Sequence, residues 1–398
     1  MTDPAVLPRP DPDPVAERIV AAVRRALRDP DGPAALHQPE FRGQEWAYIK
    51  DCLDTGWVSS VGAWVDRFER ALEQVTGVSH AVAASTGTAA LHICMKLAGV
   101  VRGDEVLVPA LTFVATANAV TYEGATPHFV DADMECLGVD PDALEAHLQA
   151  TAVVEGDVCR NRTTGAVIRA LVVTHIFGLP CDLDALAALA ERWRLVLIED
   201  AAEALGSFRE GVHVGGRGRL AALSFNGNKI VTTGGGGAIL TNDADLARRA
   251  KHLTTTAKRP HAWSFDHDEI GYNYRLPNLN AALGCAQLER LDDMIVRKRV
   301  LAGRYAEALA GVEGVRLLTD PPGCRSNAWL NSLVLEAPEL RDAVLTALNG
   351  AGLMSRPTWT LMHRLPMYAA CPRAPLGHAE RLEAGVISLP SSACLADT

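Results

Sequence analysis

The sequence lacks any apolar run approaching about 18 residues, so it predicts no membrane span. It also lacks a C-x-x-C pair: its nine cysteines, at 52, 94, 136, 159, 181, 285, 324, 371 and 394, are scattered. An odd, dispersed set reads as reduced thiols, many of them buried, in a cytosolic chain, so neither a disulfide framework nor a metal site is expected. Positive charge is in deficit, with 38 Lys and Arg against 48 Asp and Glu and a net charge of −10. Binding to a phosphate backbone needs clustered Lys and Arg, which disfavours a nucleic-acid partner. Neither G-x-G-x-x-G nor G-x-x-x-x-G-K-[ST] occurs, so the dinucleotide fingerprint and the P-loop are both missing. The opening MTDPAVLPRPDPDPVAE carries acids and prolines where a secretion signal needs a basic start and an apolar stretch. A cytoplasmic chain with no membrane contact follows as the expectation. No internal repeat or low-complexity segment is visible.

What is present is an ordinary globular composition, 48% hydrophobic and 22% charged over 398 residues. That excludes disordered, collagen-like and coiled-coil chains. Residues 1–16 hold five prolines and three aspartates and read as a loose arm, with helical periodicity over 17–29. We take 1–34 as a variable N-terminal arm. From residue 79 short apolar runs alternate with amphipathic ones. Strands are predicted at 80–84, 105–109, 128–130, 168–174, 195–199, 220–225 and 237–241, and helices at 88–99, 113–123, 143–150 and 183–192. Such alternation implies a mostly parallel sheet covered by helices, an α/β domain over 35–275. One long helix over 279–299 then leads into a smaller α+β domain, 276–398, with a strand at 328–335.

Four segments carry chemistry. In Ser224-Phe-Asn-Gly-Asn-Lys229, followed by Gly234–Gly237, a lysine sits just after a buried strand with glycine on both sides. A partly desolvated lysine there offers a nucleophilic amine, whereas a lone lysine is more often a surface residue. In Ile198-Glu-Asp200-Ala-Ala-Glu203, an acid ends a parallel strand, where open α/β sheets bind ligands. Asp200 is either a helix N-cap or a partner for a protonated heteroaromatic nitrogen. In Ser85-Thr-Gly87-Thr88, a strand meets a helix start through small residues, a ready anion seat and also a common cap. Phe113 follows a strand end and either stacks on a flat ring or fills core. Together these supply an amine, an acid, an anion seat and a stacking ring, the set that pyridoxal phosphate requires.

Those residues, in that order, resemble the DegT/DnrJ/EryC1/StrS sugar aminotransferases, a branch of the fold-type I pyridoxal-phosphate enzymes, from about Leu36 to Ser391. The resemblance implies that Lys229 is the Schiff-base lysine and Asp200 the acid on the pyridine nitrogen. It implies that Glu203 stands near the ring oxygen, where relatives often have Gln or His. Ser224, Gly87 and Thr88 match the phosphate-binding positions, Phe113 the stacking aromatic, and Asn273 the residue that reaches the phosphate from a neighbouring subunit. A homodimer with shared active sites is therefore expected. Residues 36–69 and SFNGNKIVTTGGGG look like the LegC-type branch. That implies amination at C4 of a UDP-linked 4-keto-6-deoxy-N-acetyl sugar, with glutamate as donor and the cofactor passing through its pyridoxamine form. A GDP-linked sugar or amination at C3 are the alternatives within the family. Gly235 departs from the family, which often has Glu there. Sugar-contact candidates are Trp57, Ser59, Asn226, Asn228, Trp359 and His363, with Arg275 or Arg356 for the diphosphate; packing and structural roles stand beside each of them. Related dehydratases replace the lysine with His, so Lys229 argues against that activity. A non-catalytic regulatory protein of the same fold would not need the full Lys229, Asp200 and Ser224 set.

Overall fold

The computed structural model describes residues 13–29 and 31–397. Most of the predicted loose arm thus lies outside the described residues. From Pro14 the chain is already helical, and helix α1 runs Pro14–Leu27. The Asp13 side chain accepts a hydrogen bond from the Val15 amide at 2.7 Å, and Pro14 stands in the first turn, where no intrahelical N–H is needed. Ile19, Val23 and Leu27 on one face pack against Leu301, Tyr305 and Leu309 and the strand residues Leu333 and Leu335 in a second hydrophobic core. Within the arm expected over 1–34, the described helix Pro14–Leu27 is not loose: its amphipathic stripe packs into the C-terminal core.

The principal sheet has nine strands. They are β1 (His80–Ala84), β2 (Glu105–Pro109), β3 (Thr126–Val130), β4 (Ala152–Glu155), β5 (Val158–Asn161), β6 (Val167–Thr174), β7 (Val196–Asp200), β8 (Leu220–Ser224) and β9 (Gly237–Thr241). The order is β1-β9-β8-β7-β6-β2-β3, and the β4–β5 hairpin joins β6 through β5. Strands β8, β7, β6, β2 and β3 pair in parallel, while β9 runs antiparallel to both β1 and β8. The central strands are buried on both faces, which explains their nearly unbroken Val, Ile, Leu and Ala. The hairpin escaped sequence reading because its exposed residues break the apolar run.

Register decides where the site lies. Ala84 pairs with Gly237, and Gly237 with Ser224. Ala222 pairs with Asp200, and Asp200 with Thr174. The carboxyl ends of β1, β6, β7 and β8 therefore share one edge of the sheet. Helix α2 (Gly87–Leu97) starts at that edge, and helix α3 (Val114–Tyr122) follows β2.

The single helix expected over 279–299 is two. Helix α4 spans Asn278–Leu288 and α5 spans Leu291–Leu309. Asp292 and Asp293 favour a fresh N-terminus there through the helix dipole, and Arg290 reaches forward to Asp293 at 2.6 Å. The strand expected from 328 begins only at Ser332. Ala328 takes a left-handed φ of 50°, and the Asn327 side chain accepts from the Trp329 amide at 2.8 Å, which makes residues 327–331 a turn. Strand Ser332–Leu335 belongs to a four-stranded antiparallel sheet with 315–317, 386–388 and 356–357. Among the described residues, no helix is long and apolar enough to cross a membrane. All nine cysteines are free thiols, six of them buried, as their spacing predicts.

Candidate active site

The shared strand edge opens into a cavity of about 310 Å³. Its walls include Gly87, Thr88, Phe113, Asp200, Glu203, Ser224, Asn226, Asn228, Lys229 and Trp359. Residues some 140 positions apart in sequence, from Gly87 to Lys229, are thus brought together by the sheet register.

Lys229 follows β8 through a turn in which its amide donates to the Asn226 carbonyl at 2.9 Å. Its side chain is partnered: Nζ donates to Glu203 Oε1 at 3.1 Å and stands 4.2 Å from the centroid of the Trp329 ring. Glu203 Oε2 accepts from the Phe177 amide at 2.8 Å. Burial pushes the Glu203 carboxyl up from its usual range, opposed chiefly by the Lys229 charge. No helix starts after Asp200, so the N-cap reading falls. Asp200 accepts instead from the Thr116 hydroxyl at 2.7 Å and from the Ala202 amide at 3.2 Å. Burial pushes its carboxyl up too, against those two hydrogen bonds and the Lys229 charge. A buried acid in that state gains most from a cationic partner. Thr112 links Thr116 to Thr174 through hydroxyl contacts of 2.9 and 3.2 Å, fixing the donor that holds Asp200.

At the other end of the cavity, Thr86 caps α2 by accepting from the Ala89 amide at 3.0 Å. The first amides of a helix have no intrahelical acceptor and favour an anion. The backbone there is crowded to glycine tolerance: a Cβ on Gly87 would lie 2.8 Å from Ser224 Cβ, and one on Gly237 only 2.4 Å from the Thr86 carbonyl oxygen. Phe113 is 52% exposed and lines the cavity, which excludes the core reading. The donor set fits pyridoxal phosphate. A helix start and a serine suit a phosphate, a lysine suits an aldehyde, a buried acid suits a protonated ring nitrogen, and an exposed ring is free to stack.

Several predicted residues do not line this cavity. Asn273 Oδ1 accepts from Arg275 at 3.0 and 3.2 Å, and both side chains stand outside. Trp57 is 58% exposed, and the carbonyls of Trp57 and Ser59 accept from Asn278. Arg356 is exposed on the small sheet and contacts Asn349. His363 is nearly buried, 3.8 Å from Glu380. Thr116 and Trp329 escaped sequence reading. Thr116 lies one helical step beyond Phe113, and Trp329 sits among Ser326, Asn327 and Asn331, polar company that signals a turn.

The chain is similar to known proteins over most of its length. The family model described as the DegT/DnrJ/EryC1/StrS aminotransferase family matches residues 39–398. A GDP-perosamine synthase of Caulobacter vibrioides is 38% identical over 364 residues, covering 90% of this chain and 93% of that protein. A solved DegT DnrJ EryC1 StrS aminotransferase from Brucella abortus is 31% identical with a TM-score of 0.80, over 89% of this chain and 92% of that one. DesV of S. venezuelae, solved in complex with a ketimine intermediate, is 32% identical with a TM-score of 0.78, over 88% and 90%.

Proposed function

The chain belongs to the DegT/DnrJ/EryC1/StrS aminotransferase family, and from that premise we propose that it moves the amino group of glutamate to the C4 keto carbon of a nucleotide-linked 4-keto-6-deoxy sugar. It is a pyridoxal phosphate-dependent sugar aminotransferase, so the regulatory alternative is set aside. The observation that carries the reading is the convergence of Lys229, two buried carboxylates, Ser224 and a helix start on one cavity.

When bound, pyridoxal phosphate supplies an electron sink for the carbon that gains or loses the amine. The chain's own residues do the rest. The α2 start, Gly87, Thr88 and Ser224 would seat the phosphate. Asp200, fixed by Thr116, would hold the proton on the ring nitrogen. Phe113 would offer its exposed ring for stacking. Lys229 is the attachment point, and as a free amine it carries the proton of the transfer as base and then as acid. Glu203 takes up the Lys229 charge. Asn226, Asn228 and Trp359 line the side left for the sugar.

Two nucleotides have support. The loop segments resemble enzymes that act on UDP-linked N-acetyl sugars, while the Caulobacter relative is named for a GDP-linked product. The second copy of a homodimer is proposed to bring Asn273 and Arg275 to the cavity, since neither reaches its own. The test is the absorbance of purified protein. Glutamate should bleach the cofactor band, and the correct keto sugar, UDP- or GDP-linked, should restore it. NMR of the product then places the amine at C4 or C3. A protein that never acquires the band overturns the reading.

A further inference from the structure

Lys298, on α5, is fully buried, and among the described residues no carboxylate lies within ion-pair distance of it. Unpaired lysines are rarely buried, because the charge is costly to desolvate and an apolar side chain fills the same space without that cost. Its amine instead donates to two carbonyls, that of Trp329 at 3.0 Å and that of Ser391. Trp329 is the cavity residue whose ring lies against the Lys229 ammonium, and its Nε1 donates to the Asn228 carbonyl at 2.8 Å, one residue before the lysine. The indole therefore touches both the backbone that carries Lys229 and its charged tip. The turn beneath the indole is strained, with Ala328 left-handed, and is braced by Asn327, whose side-chain amide donates to the Glu203 and Leu205 carbonyls at 2.8 and 3.0 Å.

Building on the aminotransferase reading, we propose that Lys298 is a positioning residue that acts through Trp329, anchoring the indole that holds Lys229 in line for the cofactor. An amine donates to a carbonyl whether or not it is charged, so the tether does not depend on its protonation. Burial brings the Lys298 amine down to about 7. His37 is the neighbouring titratable ring, held well below its usual value by burial and by the charges of Lys298 and Lys229. Glu203 and Asp200 face Lys229 from the opposite wall.

The experiment follows capture of added pyridoxal phosphate by the cofactor-stripped protein, reading the rate and the final amplitude of the visible band. Trp329→Leu and Lys298→Met should each slow capture about tenfold at unchanged amplitude, the signature of lost orientation. A merely structural defect lowers the amplitude and leaves the rate of the competent fraction alone. In the double variant the rate should match that of Trp329→Leu alone, as a residue acting only through Trp329 requires. Wild-type capture by Lys298→Met, or full additivity in the double variant, overturns the proposal. Should Lys298→Met fail to fold, Lys298→Gln, whose amide keeps two N–H donors on a side chain one atom shorter, is read in the same way and should fall between wild type and Trp329→Leu. Absence of any band in the wild type overturns the cofactor reading itself, a result distinct from a wild type that loads normally beside an unaffected variant.

Discussion

Asp200 ends β7 and Lys229 follows the adjacent strand β8, yet each is fixed by a different neighbour, and substitution separates their roles. Lys229→Ala removes both the attachment point and the proton carrier, so turnover should fall by at least about 10³-fold. Near-normal turnover in that variant would sink the assignment. Asp200→Asn keeps the shape and the Thr116 hydrogen bond but loses the charge. That variant should retain cofactor and lose about 10²-fold or more in rate; full activity would remove Asp200 from the mechanism. These residues were legible in the sequence because strand ends, glycines and a lone lysine leave local marks. Trp329 was not, because its neighbours in the cavity are about 100 positions away. Nothing in a six-residue window announces that a turn will be folded back over Lys229. The same limit applies to Glu203, whose pairing with Lys229 depends on how two strand ends meet.

At the scale of elements, β2, β3 and the helix Pro141–Thr151 are joined by a buried polar chain away from the cavity. Glu105 and His128 Nδ1 lie 2.8 Å apart, and His128 Nε2 and His147 Nε2 also lie 2.8 Å apart. Burial, and next the His128 ring, push His147 down to about 4 from its usual 6.5. A histidine depressed on folding contributes stability that is fully present above pH 6.5 and is lost as pH falls toward 4. The Glu105 carboxyl, held below its usual range by His128, Thr164 and Asn161 against the cost of burial, loses its contribution further down the same acid limb. His147 alone should therefore contribute a loss of stability of about 3 kcal/mol at most across that window. His147→Leu should make the fall between pH 6.5 and 4 shallower, the rest coming from His213, which burial also pushes down to about 4; an unchanged slope would take His147 out of the acid limb. The elements themselves were mostly readable, since buried parallel strands write continuous apolar runs. The break between α4 and α5 and the late start of the Ser332 strand were not. Apolar periodicity continues across both points, and a helix dipole and a side-chain hydrogen bond decide them.

For the whole molecule, the exposed apolar surface and the stranded Asn273 point the same way. Trp263 and Ile270 are more than 80% exposed, flanking Phe265 just before Asn273, and Trp46 is equally bare. Exposed apolar residues of this size suit a partner surface, and the proposed two-fold pair would use the same one twice. If Asn273 serves the neighbouring cavity, two damaged chains should repair each other. Lys229→Ala leaves a good Asn273, and Asn273→Ala leaves a good Lys229. Each variant alone should be inactive or nearly so. Co-expressed, half the dimers are mixed, and each mixed dimer has one site with both residues intact, so about a quarter of wild-type activity should return. The check is turnover of the co-purified mixture against each parent, with mass measured in solution. Recovery requires that the two residues of one site come from different chains. A mixture no better than its parents, from protein shown to be dimeric and mixed, would return Asn273 to its own subunit and leave the pairing surface without a catalytic role.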